Sequence, residues 1–454
     1  MDVIITIFSF IALISLIVGI HELGHFSVAR YFNIHVLKFK IGFGKELYSF
    51  QDKNECKYSI GILPLGGYVQ MLGENLIPEG EQNSILANKK SYLDATLNER
   101  AAVTAAGPLA NFLLAIVLYF FITLIGTYEV GSFIGGVKSD SLAEDANLAY
   151  GDRIVSIDET ELDTFNDIRI LLADRIGDTG SIDISFVKEG SNFTSYSSVN
   201  INNWLEDSDQ SRPAQSFGLE PLVPPVIGGL LEGGPASKAG LQPGDIIQSV
   251  NSEPIISWLE LSKLLSNKPN EDISITVLRE KDLFSYTLRT DSYDLNGIER
   301  GRVGIFASQD LNQWPKEITI EKKGNLFQAL IAGFTETYKF TKFILSSIGK
   351  LFTGSVSADN IGGPIQISVI AGSAAKEGLV PFLSMIAILS INLGLINLFP
   401  IPVLDGGQLL MIAIEKVKGS PVSDNFLEHS IRVGVLLVAS LMIFAFVNDI
   451  VRLI

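Results

Sequence analysis

His21-Glu22-Leu23-Gly24-His25 closes an apolar run, Val3 to Ile20, in which only an occasional Thr or Ser is polar. A run of that length reads as a membrane-spanning helix. In a helix, residues four apart project from one face about a turn from each other, so both imidazoles can reach one ion. H-E-x-x-H on a helix is the pattern of two zinc ligands, with a glutamate beside them that can take a proton from water at the ion. Ionisable groups within a span cost about 2.5–3.5 kcal/mol each on insertion scales and usually mark a functional site. The bland alternative is a set of polar residues that merely ends a helix at the headgroups.

With 454 residues the chain is long enough for about three domains. Its hydrophobic content of 47%, positive mean hydropathy and several long apolar runs place it among integral membrane proteins. Cys56 is the only cysteine, so neither an intrachain disulfide nor a Cys-based zinc site can form. The formal charge is −16, and segment 128–322 alone holds 32 acids against 16 bases, which accounts for the whole imbalance. That segment reads as a soluble part with no basic surface for nucleic acid. Before His21 there is neither a basic n-region nor a small-x-small cleavage site, so the first apolar run reads as a retained span.

Four segments are long and apolar enough to cross a bilayer, at about 3–24, 103–126, 379–399 and 431–450. The loop 26–102 carries a series of Lys and Arg from Arg30 to Arg100, and the short loop after the third span holds Lys416 and Lys418. The positive-inside rule puts both loops in the cytoplasm and the acidic segment with both termini outside, although Arg452 runs against it. Within the first loop, Lys57 to Gln70 alternates apolar and small residues around Pro64 and the Gly66-Gly67 pair, a strand-turn-strand pattern. It is either an ordinary hairpin or an exposed edge near the metal, where Gly66, Gly67 and Tyr68 would hold an extended substrate by strand addition.

The acidic segment repeats itself. Ile134-Gly135-Gly136-Val137 is matched by Ile227-Gly228-Gly229-Leu230, and Leu148 to Ile154 by Leu241 to Ile247, both at an offset of 93 residues. Each copy has a Gly-Gly turn, a small-residue helix, a Gly-Asp turn and a strand, and resembles the PDZ domains of bacterial envelope proteases. That resemblance implies capture of a chain terminus near Gly135 and Gly136 or near Gly228 and Gly229; the alternative is a spacer or steric filter. Residues 324–350 read as an interfacial amphipathic helix, and Ile361 to Ile365 as a turn toward the third span.

A catalytic zinc site needs at least one ligand beyond the two histidines. A third His six residues after His25 is excluded, because that position is Tyr31; His35 and Glu46 qualify by type but lie in the loop. Asp405 is the better candidate. It follows the third span in Asn397-Leu-Phe-Pro-Ile-Pro-Val-Leu-Asp-Gly-Gly407, where Pro400 and Pro402 break the helix. Irregular backbone at that depth is tolerated where it is buried in protein or lines a watery cavity. The first and third spans both run inward, which brings His21, His25 and Asp405 to one end. Asn392 and Asn397, with Asn111 of Gly107-Pro108-Leu-Ala-Asn111, could bond a substrate backbone or serve as packing glue between helices.

On these motifs the chain resembles the bacterial site-2 intramembrane zinc metalloproteases of the RseP type (regulator of sigma-E protease) over nearly its full length. The resemblance implies a polytopic α-helical membrane protein of about four transmembrane helices. A β-hairpin would lie on the cytoplasmic side, and two small α+β PDZ domains would be inserted between the second and third helices. The expected division is 1–127 (first membrane part), 128–221 and 222–310 (PDZ domains), 311–375 (amphipathic linker) and 376–454 (second membrane part). One Zn2+ per chain would be held by His21, His25 and Asp405, with Glu22 as catalytic acid and base. Asn392, Asn397 and the hairpin would engage an unwound substrate. The implied activity is cleavage of transmembrane segments of single-span proteins already trimmed outside, such as an anti-sigma factor in envelope stress signalling, and also signal-peptide remnants. The implied setting is the bacterial inner membrane, with the PDZ domains periplasmic and the zinc site near the cytoplasmic face. Gln408 departs from the pattern, since close relatives often carry His there. Two other classes compete: an inactive membrane-tethered PDZ scaffold, which has no need of Glu22, and a zinc transporter, which calls for more intramembrane acids and histidines along a path.

Overall fold

The computed structural model describes residues 2–73, 89–206, 210–295 and 297–453, so positions 74–88 of the basic loop lie outside the described residues. The chain divides into two units. One comprises residues 1–126, 323–346 and 358–454, the other residues 127–322 and 347–357.

Four helices among the described residues are long and apolar enough to cross a membrane: Val3–Tyr31, Leu97–Ile125, Leu379–Leu398 and Asn425–Arg452. They correspond to the four spans expected from the sequence. The first, α1 (Asp2–Tyr31), buries one stripe at a spacing of four, Leu13, Ile17, His21, His25 and Ala29, so the metal motif continues the packing face of the helix. Its other faces expose apolar residues such as Ile4, Phe8 and Leu16.

Two strands follow, β1 (Val36–Gln51) and β2 (Lys57–Met71). Lys57–Gln70 does not fold into a hairpin on itself, as the sequence pattern suggested. Instead β1 and β2 each form two legs, because Gly42 and Gly44 take φ of 85° and 80° and break β1 midway. Lys38–Ile41 lie beside both Lys57–Ile60 and Gly67–Gln70, while Glu46–Gln51 face Lys57–Gly61. The register of β2 shifts between Gly61 and Gly67, around the Pro64 and Gly66-Gly67 pattern, but the turn proper is at Asp52–Cys56. Asp52 organises that turn by accepting from the backbone N–H groups of Asn54 and Cys56 and from Arg30. Burial opposes ionisation of Asp52, yet the Cys56 N–H and the Arg30 guanidinium hold its carboxyl below the usual value.

The second span, α2 (Leu97–Ile125), begins at a Thr96–Glu99 capping box. Lipid supplies no hydrophobic drive for helix association, so small residues that let backbones approach decide the packing. A Cβ on Gly24 would overlap the backbone of Ala106 on α2, and one on Gly107 would overlap the His25 ring. The next helix, α3 (Leu326–Thr353), buries Ala329, Gly333 and Thr337 at a spacing of four and exposes Phe327, Leu330, Ile331 and Phe334. Gly333 seats on Ile116, and Phe340 stacks on Tyr119 at 5.8 Å. It is the amphipathic helix expected over 324–350. Its part up to Ser346 belongs to the membrane unit and its end to the other.

A helix, α4 (Pro364–Glu377), and not only a turn at Ile361 to Ile365, precedes the third span. Pro364 sits in its first turn, where a missing N–H costs nothing. Asp449 accepts from the N–H groups of Gly363, Ile365 and Gln366 there, at 2.8, 2.8 and 3.2 Å. The third span, α5 (Leu379–Leu398), ends where Phe399 turns extended ahead of Pro400. The loop after it does not remain irregular: α6 (Asp405–Lys418) starts at Asp405 itself, and α7 (Asp424–Leu453) follows.

The other unit contains two copies of one design. In the first, strand Ile134–Val137 pairs with Leu219–Pro221, and helix Phe165–Ala173 accompanies a four-stranded sheet built on Arg153–Ile157 and Gly180–Val187. In the second, Ile227–Leu230 pairs with Ile305–Ala307, with helix Trp258–Ser266 and a sheet built on Ile246–Val250 and Asp272–Arg279. The offset of 93 residues holds from the Gly-Gly strand through the helix. Alternation in the long strands directs Ile182, Ile184 and Phe186 inward in one copy and Ile273, Ile275 and Val277 in the other. Full burial of each such side chain is worth about 1.5–3 kcal/mol.

Candidate metal centre

His21 and His25 project from the buried stripe of α1, and α6 delivers Asp405 from its first turn. The Phe399-to-Leu404 connection fixes that delivery. Val403 sits at φ 102°, a strained conformation for a β-branched residue. A Cβ on Gly406 would overlap the carbonyls of Leu398 and Phe399, and one on Gly407 that of Ile401. The two glycines therefore let the start of α6 fold back tightly on the proline-broken loop.

Three donor atoms converge. His21 Nε2 lies 3.2 Å from His25 Nε2, and Asp405 Oδ2 lies 3.2 Å from the first and 3.5 Å from the second. Despite these short approaches Asp405 Oδ2 is buried and makes no aligned hydrogen bond. The two Nε2 atoms meet at hydrogen-bond geometry, whereas Asp405 Oδ2 stands beside both and bonds neither. Donors about 2.0–2.1 Å from a tetrahedral zinc stand roughly 3.3 Å apart, so the spacing fits that ion. His25 Nδ1 donates to Val103 O at 2.8 Å, leaving its Nε2 lone pair free for a metal. Among the described residues, His21, His25 and Asp405 form the one group of three or more His, Cys, Asp or Glu side chains whose ligand atoms all lie within 4.8 Å of one another.

Glu22, also buried, lies against the second leg of β2. That leg carries Gly66, Gly67 and Tyr68, and Gly67 passes against both Glu22 and Val18. His35 and Glu46, the loop alternatives for a third ligand, are not brought to the histidines. Glu46 is bridged by Lys38 and Lys57, both at 2.7 Å, which pull its carboxyl down to about 2. Burial and the nearby Lys89 ammonium keep His35 below its usual value.

Asn392 and Asn397 are half-buried on α5, and Gln408 is exposed on α6. Asn111, open in the sequence between a substrate contact and packing between helices, is fully buried with its side-chain amide nitrogen 3.2 Å from His21 Nδ1. It is spent on a ring of the metal centre because α2 crosses α1 at that level. In the other unit, Gly135 and Gly228 are required by close approach of the paired strand, at Pro221 and Ser308 respectively. Gly135 and Gly136 border a groove of about 650 Å³ that also involves Tyr150, Leu259, Glu260 and Lys263. Sequence reasoning missed the Val103 carbonyl and the Arg100–Glu415 ion pair; the small residues around Gly107 were the available signal for the first.

A family model, peptidase family M50, matches residues 9–441. The regulator of sigma-E protease RseP of Escherichia coli K12 is 37% identical over 451 residues, covering 98% of both chains. Its namesake from Salmonella typhimurium is 35% identical over 448 residues with the same coverage. A protein of Pasteurella multocida named as a zinc metalloprotease is 36% identical over 453 residues, again covering 98% of both. A solved PDZ domain of an SdrC-like protein from Listeria monocytogenes covers 19% of this chain and 88% of its own at 18% identity, with a TM-score of 0.17, too low to bear on the fold. With relatives aligned from end to end and a family match that runs through both halves of the membrane unit, the chain belongs to peptidase family M50, as a zinc metalloendopeptidase of the site-2 type.

Proposed function

We propose that His21, His25 and Asp405 hold one zinc ion per chain and that Glu22 is the acid and base of peptide-bond hydrolysis within the membrane. The observation that carries this is the convergence of the three donor atoms on one point beside Glu22. Zinc bound there supplies a Lewis acid that polarises the scissile carbonyl and acidifies water. Glu22 takes the proton of the attacking water and delivers it to the leaving amine, which requires a carboxylate within one side chain's reach of both. The second leg of β2 holds the substrate extended. Its backbone already passes against Glu22 at Gly67, and a transmembrane helix must unwind before its carbonyls are accessible. Asn392 and Asn397 contribute polar contacts to that unwound stretch.

The substrates are transmembrane segments of single-span proteins trimmed beforehand outside the membrane. An anti-sigma factor is the leading case, because relatives along the full length are named as regulators of sigma E. Signal-peptide remnants share the same chemistry. The enzyme sits in the inner membrane as a multi-pass protein. The basic loops support a metal centre near the cytoplasmic face, with the acidic segment outside. Exposed Phe43, Leu47, Tyr48 and Leu63 on the hairpin suit contact with the bilayer from that side. The repeats 128–221 and 222–310 are read as two PDZ domains that limit access.

The test combines zinc content with cleavage of a model transmembrane substrate. Glu22→Gln should keep zinc and lose cleavage, and Asp405→Ala should lose both. Full zinc and activity in Asp405→Ala would move the third ligand elsewhere.

A further inference from the structure

Each imidazole has its second nitrogen committed, but to partners of different kinds. His25 Nδ1 faces the carbonyl of Val103, which can only accept, so that nitrogen always carries the proton. His21 Nδ1 faces the Asn111 side chain, which offers a donor and an acceptor half a turn apart. With the amide NH2 toward Nδ1, as the 3.2 Å contact has it, the His21 proton belongs on Nε2, where the His25 Nε2 lone pair accepts it at 3.2 Å. The amide oxygen, Asn111 Oδ1, is then buried with no partner. With the amide turned over, Oδ1 accepts from Nδ1–H and Nε2 presents a lone pair to an ion.

The rest of Asn111 is clamped. It is fully buried, its carbonyl accepts from Ser390 Oγ at 2.9 Å, and a Cβ on Gly394 would stand 3.3 Å from its own Cβ. Ser390 and Gly394 lie one turn apart on α5, the span that leads to Asp405. The side-chain amide is thus the part left free to reorient, at a point where α1, α2 and α5 meet.

We propose that Asn111 is a positioning residue whose amide turns over to hold His21 in either tautomer, presenting the Nε2 lone pair when zinc binds and keeping the ring in place when it does not. This rests on the reading of His21 as a zinc ligand. A carboxylate at 111 serves only the zinc-ready tautomer, and an isosteric apolar side chain serves neither.

Zinc affinity is measured on the purified full chain by competition with a fluorescent chelator, for wild type, Asn111→Leu, Asn111→Asp and His21→Ala, with thermal melting as a check of folding. Loss of an outer hydrogen-bond partner of a metal ligand typically costs about 10–100-fold in affinity, the loss expected for Asn111→Leu. Asn111→Asp should equal or exceed wild type. Histidine NMR with 15N labels should show the His21 proton moving from Nε2 to Nδ1 on zinc addition in wild type, and resident on Nδ1 throughout in Asn111→Asp. Zinc affinity of a folded Asn111→Leu within twofold of wild type overturns the proposal, as does an Asn111→Asp that loses zinc. If Asn111→Leu does not fold, the aspartate variant and its NMR signature decide alone. His21→Ala separates the levels: retention of wild-type affinity there defeats the ligand assignment itself, whereas its loss beside an unaffected Asn111→Leu defeats only the role of Asn111.

Discussion

Gly67 lies directly against Glu22: a Cβ added at Gly67 would stand 3.0 Å from the Glu22 Cγ and 2.7 Å from the carbonyl oxygen of Lys40. The strand cannot yield toward Lys40, which is backbone of the neighbouring leg, so an added methyl must displace Glu22 or lift the leg. Gly67→Ala should therefore keep its zinc and lose activity. A displacement of about 1 Å at a catalytic group costs on the order of 100-fold, so a fall of about 10–100-fold in kcat is expected. Unchanged turnover, measured beside zinc content, would mean the contact is slack.

How much of this was legible in the sequence follows from what each signal depends on. The His21, His25 and Glu22 set is local, governed by helical spacing, and was readable at once. Asp405 was found through a break signal, the two prolines, though not the helix that Asp405 begins, because the loop was read as ending in irregular backbone. The pairing of β2 was missed because its partner lies upstream and its register depends on positive-φ glycines at 42 and 44. The sequence leaves Asn111 open between a substrate contact and packing between helices for a related reason. A buried Asn in a span signals a hydrogen bond, but its partner is set by the crossing of α1 and α2, which no single-chain periodicity reveals. The 93-residue repeat was fully visible because each copy folds on its own local pattern.

Arg100 at the start of α2 binds Glu415 on α6 through Nη1, at 3.1 and 3.3 Å, with the guanidinium 5.5 Å from the Tyr92 ring. Both partners are largely buried, at 20% and 17% side-chain exposure, so the pair is more than a screened surface contact. It anchors the helix that begins at Asp405. Arg100→Gln and Glu415→Gln should each weaken zinc binding about threefold to tenfold, with the double variant no worse than the poorer single one. Additive losses in that double-mutant cycle would show that the two side chains act separately.

Glu46 bridges Lys38 and Lys57 and is held at about 2, below the usual glutamate value of roughly 4.3. A carboxyl lowered on folding stabilises the fold above its unfolded value, and that contribution disappears as pH falls through the folded one. The melting-temperature advantage of wild type over Glu46→Gln should be complete near pH 6 and shrink to about half by pH 3. An advantage that is flat from pH 7 to pH 3 would mean that the lysines do not hold Glu46 in its charged form.

The proposed metal ligands and Glu22 all belong to the unit of the spans, and among the described residues no metal-holding group of His, Cys, Asp or Glu lies in segment 128–322. Its ends are adjacent, because Thr127 and Lys322 are paired across two short strands, so the segment can be replaced by a short linker. The groove bordered by Gly135 and Gly136 is faced by Leu259 of the second repeat, whose Cδ2 would lie 2.9 Å from a Cβ on Gly136. An apolar side chain at that place is a poor host for a carboxylate, which favours a filter over capture of a chain terminus. The excised variant should hold zinc as wild type does and cut a trimmed single-span substrate at a comparable rate. It should also begin to cut substrates that keep a folded outer domain, which on the filter reading wild type leaves uncut. Capture predicts the reverse, with cleavage of the trimmed substrate lost along with the dock. Zinc content, thermal melting and the two cleavage rates on one preparation separate these outcomes: a folded, zinc-loaded variant that cuts neither substrate rules out the filter.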